Sequence, residues 1–180
     1  LIEKIREAGA TLVEVTFPDY GPTQADRLAV LEYEFKTDLN TYLAARGGKY
    51  KTLEDLIKFN DENKDSELKL FGQELFIDSQ KKGDLTDKAY LDALAKIKKS
   101  TREDGIDAVL AKDDLDALVG PTSGQAWSIA AVAGYPSITV PVGLRDNSPA
   151  GMLFFGRAWS EPSLIKYAYA FEQKTKGRVT

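Results

Sequence analysis

The hydrophobic positions of the chain change their spacing near Gly105. Before this point, from about residue 23 to residue 104, apolar side chains recur every three or four residues, and this pattern predicts a helical region. After it, short apolar runs dominate, and they predict strands separated by helices and by turns rich in glycine and proline. This alternation favours an α/β fold, in which helices cover a sheet.

Capping and breaking residues set the boundaries of the individual elements. Thr23 and Thr52 are predicted to cap helices, the first of which runs to about Arg46, and the last helix begins near Pro162. A turn is predicted at 146–149. Strands are predicted over four segments: 11–17, 116–121, 137–142 and 150–156.

Composition removes several kinds of active site. The 180 residues include neither cysteine nor histidine, so a Ser-His-Asp hydrolase, a thiolate nucleophile and a histidine or cysteine zinc site are excluded within this chain. We therefore predict no metal and no cofactor. The formal charge of -4 argues against binding to nucleic acid, and no apolar run approaches the roughly 20 residues of a membrane span. A cytoplasmic location is expected.

The loop at Gly120–Gly124 holds the candidate contact residues. It follows a predicted strand, where α/β sheets tend to bind ligands, but it lacks the lysine of a phosphate-binding loop, and a plain strand-end turn is the alternative. Gln125 offers a donor and an acceptor, and Trp127 offers an aromatic wall, so these two are the predicted substrate-binding residues. Trp159 could line a pocket in the same way, and packing in the core or at a rim is the alternative for both tryptophans.

No catalytic residue is predicted. Ser123 and Ser128 flank the same loop, but no lysine lies within several residues of either to act as a base. A helix over 128–133 is expected to end at Gly134. Carboxylates that could be read as acid/base pairs or calcium ligands lack the necessary spacing, and we predict solvated charge for them: Glu32, Glu34, Asp113, Asp114 and Asp116.

Several segments resemble one enzyme family. Asp116–Thr122 and Ala130–Gly143 together resemble the carboxy-terminal part of an amidase signature family hydrolase, and the likeness continues through Phe154–Pro162 and Ala168–Gln173. Thr52–Asn60 and Phe71–Phe76 resemble the helical region of its bacterial peptide-amidase-like branch. The similarity covers nearly all 180 residues, and Leu1–Ala8 reads as the middle of a helix, so we expect a chain cut from a longer one.

The resemblance implies one partial domain, 1–180, that supplies part of the family's mixed β-sheet and its covering helices. It also implies hydrolysis of carboxamide C–N bonds through an acyl-serine intermediate, with two serines and a lysine as the catalytic groups. These groups belong to a Gly/Ser-rich region that has no counterpart here, so this chain alone is predicted to be inactive. The branch also carries a longer connection where Trp127 and Ser128 abut.

Two other functions stay open. One is a non-catalytic binding or pseudoenzyme module, and the other is the A-type subunit of a glutamine-dependent amidotransferase. For the amidase, the resemblance implies a small-molecule amide substrate in the intact enzyme. A fragment cut from one fold should expose an apolar sheet face, and we therefore predict self-association.

Overall fold

A computed structural model describes residues 2–17, 24–122 and 124–178. The described residues of 22–96 form one compact unit, here called the helical unit. The described residues before 22 and after 96 form a second compact unit, here called the sheet unit.

Both units contain several helices. The helical unit contains α2 (Gln24–Arg46), α3 (Leu53–Glu62), α4 (Lys64–Glu67), α5 (Glu74–Gln80) and most of α6 (Lys88–Lys98). The sheet unit contains α1 (Ile2–Glu7), α7 (Ala108–Lys112), α8 (Gln125–Ala133) and α9 (Glu161–Thr175). A π-helical segment, Lys99–Asp107, joins α6 to α7, and it is kinked at Gly105, whose φ of -101° and ψ of -107° are not helical. The helical structure is thus interrupted beside the predicted limit near residue 104 and resumes in α7. In the described ranges, no helix is both long and apolar enough to cross a membrane.

The described sheet has three antiparallel strands in the order β1-β3-β2. These are β1 (Leu118–Pro121), β2 (Ser137–Arg145) and β3 (Ser148–Phe155). The predicted turn between β2 and β3 is shorter than expected, because Asp146 and Asn147 alone form it, with φ of 50° and 61°. Two successive positive φ values are typical of a type I′ hairpin. Pro141 lies in the edge strand β2 beside a bulge, where its missing N–H is tolerated.

Both faces of β3 are covered by helices of this chain. Leu153 and Phe155 pack with α7 and α8, whereas Met152 and Phe154 pack with α1 and α9. The paired residues follow the same division, since Leu118 lies opposite Phe155. The exposed sheet face on which the self-association prediction rested is therefore not found on β3, and self-association itself stays a prediction.

The α/β class is confirmed, but one predicted strand is wrong. Residues 11–17 are described and form no strand. Leu12 packs on the face of β3 that carries Met152 and Phe154, whereas Val15 and Phe17 pack on the opposite face. Burial does not alternate along this segment, since Val13 and Glu14 are both exposed between Leu12 and Val15. Thr23, the predicted cap of α2, lies outside the described residues.

The predicted cap of α3 is confirmed as a reciprocal capping box. The Asp55 N–H donates to the Thr52 hydroxyl at 3.2 Å, and the Asp55 carboxylate accepts from the Lys51 and Thr52 N–H groups at 2.8 and 3.0 Å. Asn40 of α2 accepts the next free N–H, that of Leu53, at 2.7 Å. The start of α3 is thus held by its own cap and by α2.

Lowering the pH should weaken this cap. Hydrogen bonds from the Lys51 N–H and then from Thr52 hold the pKa of Asp55 below its usual 3.8. The stabilisation from Asp55 is therefore complete above about pH 5 and is lost as the pH falls through that lowered pKa. We expect NMR titration of the Asp55 carboxyl to give a midpoint below 3.8, and Thr52→Ala to move it upward while costing about 1 kcal/mol. A midpoint at or above 3.8 in the unmodified chain would contradict the capping box.

Candidate functional site

The predicted contact residues lie in the first turn of α8, not in a loop. The helix begins at Gln125, three residues before the expected start, so Gln125 and Trp127 are fixed by helical geometry. Both are exposed, and 53% of Trp127 is accessible to solvent. The preceding residue, Gly124, has no side chain with which to cap the helix. This end of the helix therefore presents an amide and an indole ring to solvent.

The first turn of α8 packs closely on β1. A Cβ at Gly120 would lie 3.0 Å from the Cβ of Ala126, so a glycine in the strand allows this approach. Thr122 follows the strand, and its N–H donates to the Gly151 carbonyl at 3.1 Å. Its buried hydroxyl oxygen has no hydrogen-bond partner among the described residues. The strand end thus places one unsatisfied hydroxyl before the start of α8.

The opposite end of α8 is held by a polar network that the sequence did not reveal. The helix ends at Gly134, whose φ of 65° is left-handed, and Ala130 and Ala133 are fully buried beneath it. Arg102 of the π-helical segment donates from Nε to the Ala133 carbonyl at 2.6 Å. Because 31 residues separate these two partners, no local pattern could have indicated the contact.

Tyr135 completes this network. Its hydroxyl donates to the Asp107 carboxylate at 2.7 Å, and the Arg102 guanidinium lies 5.5 Å from the centre of its ring. Burial, together with the hydrogen bond to Asp107 and the negative charge of that carboxylate, raises the pKa of Tyr135 to about 12. The tyrosine is therefore neutral and able to donate at all physiological pH values.

The other sequence candidates have different surroundings. Trp159 is 89% exposed and precedes α9 with a φ of 65°. Ser123 lies outside the described residues, and Ser128 is half-buried on α8.

The prediction of solvated charge is wrong for Glu32, which is 5% exposed and pairs with Lys82 at 3.0 Å. Within the described parts of the chain, no group of three or more carboxylates converges to form a metal site.

A separate groove lies wholly within the helical unit. It has a volume of about 770 Å³ and is lined by Asn60 and by residues 66–76, so neither Gln125 nor Trp127 takes part in it. Its rim carries the exposed side chains of Leu70 and Phe71. Below them the buried Gln73 amide donates to Asp61 at 2.6 Å and accepts from Asn60 at 3.1 Å. These satisfied contacts indicate that Gln73 holds the loop between α4 and α5 in place.

Comparison with known proteins relates the chain to amidases. No protein-family model matches it. An Arabidopsis thaliana protein named as a probable amidase is 35% identical over 97% of the chain. The native peptide amidase of Stenotrophomonas maltophilia superimposes on 99% of the chain with a TM-score of 0.93 and 43% identity. An amidase family protein of Bacillus anthracis does so over 99% with a TM-score of 0.84 and 31% identity.

The match covers much less of the relatives than of this chain. The chain spans 35% of the length of the Arabidopsis protein, 39% of the Stenotrophomonas peptide amidase and 36% of the Bacillus protein. The features described above therefore correspond to somewhat more than a third of each relative.

Proposed function

The chain belongs to the amidase signature family, in its bacterial peptide-amidase-like branch, and on that premise we propose that it is the carboxy-terminal part of a peptide amidase. The proposed reaction is hydrolysis of a carboxamide C–N bond in a peptide or a similar small amide. The observation that carries this proposal is the likeness to the peptide amidase over 99% of the chain at 43% identity.

The proposed chemistry needs no histidine. A serine oxygen attacks the amide carbon, the C–N bond breaks, and water then releases the acid from the acyl-serine. A lysine held neutral by desolvation would accept the proton through a second serine and return it to the leaving amine. These three groups are assigned to the part of the enzyme outside these 180 residues. Lysines of this chain such as Lys36, Lys82 and Lys99 instead contact backbone carbonyls or carboxylates.

The role proposed for this chain is to support and line the substrate site. Gln125 and Trp127 project from the first turn of a helix that packs on a sheet strand, so their positions are defined while their polar and aromatic groups stay accessible. An amide side chain can both donate to and accept from a substrate peptide group, and an indole ring can cover an apolar substituent. We therefore assign both residues to substrate binding.

The test compares this chain with the longer polypeptide encoded by the same reading frame. Ammonia release from a carboxy-terminally amidated dipeptide should be measurable for the longer polypeptide and absent for the 180 residues alone. In the longer polypeptide, Gln125→Ala and Trp127→Ala should each raise KM about tenfold, which corresponds to about 1.4 kcal/mol of binding free energy.

Trp159→Ala is the matched control, because Trp159 is the more exposed of the two tryptophans and is not assigned to the site. It should leave KM unchanged. Amide hydrolysis by the 180 residues alone, or a longer polypeptide that is inactive on amides, would overturn the proposal. Activity that appears only when glutamine supplies ammonia to a charged tRNA would favour the amidotransferase alternative instead.

A further inference from the structure

We propose that Arg102, acting with Tyr135 and Asp107, is a positioning residue that sets the direction of α8 and thereby the location of Gln125 and Trp127. The inference rests on the proposed function, since it concerns how the substrate-binding end of α8 is held. It assigns a role to three side chains that lie at the other end of the helix and would not themselves touch the substrate.

The network connects α8 to the π-helical segment at two points. Arg102 bonds the last carbonyl of α8, that of Ala133, at 2.6 Å. Tyr135, two residues after the helix, bonds Asp107 at the end of the same segment at 2.7 Å. Because the Arg102 guanidinium also lies over the Tyr135 ring, the two contacts support each other. These two polar contacts fix the end of a helix whose other contacts, in the core and with β1, are apolar.

The surrounding backbone leaves little room for another arrangement. A Cβ at Gly105 would lie 2.7 Å from the Ser100 carbonyl oxygen and 3.5 Å from Cδ1 of Ile129 on α8. Gly105 has a φ of -101° and a ψ of -107°, which are not helical, and this kink brings its backbone against the buried side of α8.

The length of α8 converts small changes at one end into larger displacements at the other. Nine residues span about 13 Å, so a tilt of about 10° at Ala133 would move Gln125 by about 2 Å. Displacements of that size at a contact residue are large compared with the tolerance of a substrate site, where about 1 Å can lower the rate 100-fold. The positive charge of Arg102 also suits the negative end of the helix dipole.

The first test follows Trp127 directly in the longer polypeptide labelled with 5-fluorotryptophan. The ¹⁹F signals of Trp127 and Trp159 are assigned from Trp127→Phe and Trp159→Phe. Arg102→Met should shift the Trp127 signal and leave that of Trp159 in place, and Tyr135→Phe, which removes only the hydroxyl, should give a smaller shift in the same direction. Phe171→Leu, a core change under α9, is the control and should leave the Trp127 signal unmoved.

The second test is kinetic. Arg102→Met should raise KM about tenfold with little change in kcat. Added to the double variant Gln125→Ala/Trp127→Ala, it should raise KM no further, because both residues that it positions are then absent. Arg102→Lys can still donate to the Ala133 carbonyl but lacks the planar group that lies over the Tyr135 ring. Its KM should therefore lie between those of Arg102→Met and the unmodified enzyme.

The outcomes separate the two proposals. If Trp127→Ala raises KM but Arg102→Met and Tyr135→Phe leave both KM and the ¹⁹F signal unchanged, the positioning role is wrong and the proposed function stands. A further rise in KM when Arg102→Met is added to Gln125→Ala/Trp127→Ala, or an equal Trp127 shift in Phe171→Leu, would likewise overturn the positioning role. If Trp127→Ala and Gln125→Ala leave KM unchanged, the substrate-binding assignment fails, and the ¹⁹F shifts still decide whether Arg102 controls α8.

Discussion

Phe155→Ala is expected to lower the free energy of unfolding by about 4 kcal/mol, a large part of the 5–15 kcal/mol that holds a typical domain together. Phe155 is 1% exposed and lies on the central strand β3, paired with Leu118 of β1 and Ser137 of β2. Its ring stacks on that of Phe17 with the centroids 6.2 Å apart. Truncation would therefore leave a cavity between the sheet and the helices α7 and α8, which rigid neighbours on both sides could not close.

Urea unfolding followed by circular dichroism measures this loss. Ile165→Ala is the matched control, because Ile165 is 58% exposed on α9 and alanine is the better helix former. It should change the free energy of unfolding by no more than about 0.5 kcal/mol. A loss below about 1.5 kcal/mol for Phe155→Ala would mean that the core between β3 and α8 is not packed as described.

The elements that the sequence predicted well are those whose signal is local. The cap at Thr52 and the start of α9 beside Pro162 both depend on residues within a few positions of each other. Residues 11–17 show the limit of that reasoning. The alternation of apolar and polar residues is a property of one segment, but a strand also needs a neighbour to bond its backbone, and that neighbour is determined by tertiary structure.

The candidate site likewise contains residues with a local sequence signal and residues without one. Gln125 and Trp127 could be proposed from a strand followed by a glycine-rich loop, although the start of α8 was predicted three residues too late. Arg102 and Asp107 could not be proposed, because each meets its partner across 28 or more residues. Glu32 illustrates the same point in the helical unit, since its partner Lys82 comes from a different part of the chain.

This Glu32–Lys82 pair should respond unequally to removal of its two partners. The Glu32 side chain is 6% exposed, whereas that of Lys82 is 29% exposed. Lys82→Met leaves a buried carboxylate without its counter-charge and should cost about 3 kcal/mol. Glu32→Gln leaves an ammonium group that water can partly reach, and that still lies 5.8 Å from the centre of the Tyr33 ring, so it should cost only about 1 kcal/mol.

The double variant Glu32→Leu/Lys82→Met distinguishes a buried charge from lost packing. With both charges removed, no unpaired carboxylate stays buried, so the double variant should be at least about 1 kcal/mol more stable than Lys82→Met alone. Urea unfolding of the four proteins gives the comparison, and Lys88→Met, which breaks a pair whose side chains are 87% and 64% exposed, should cause no measurable change. Equal losses for Lys82→Met and Glu32→Gln, without recovery in the double variant, would show instead that the methylene groups of Lys82 and their packing on α2, rather than the burial of the Glu32 charge, hold this part of the helical unit together.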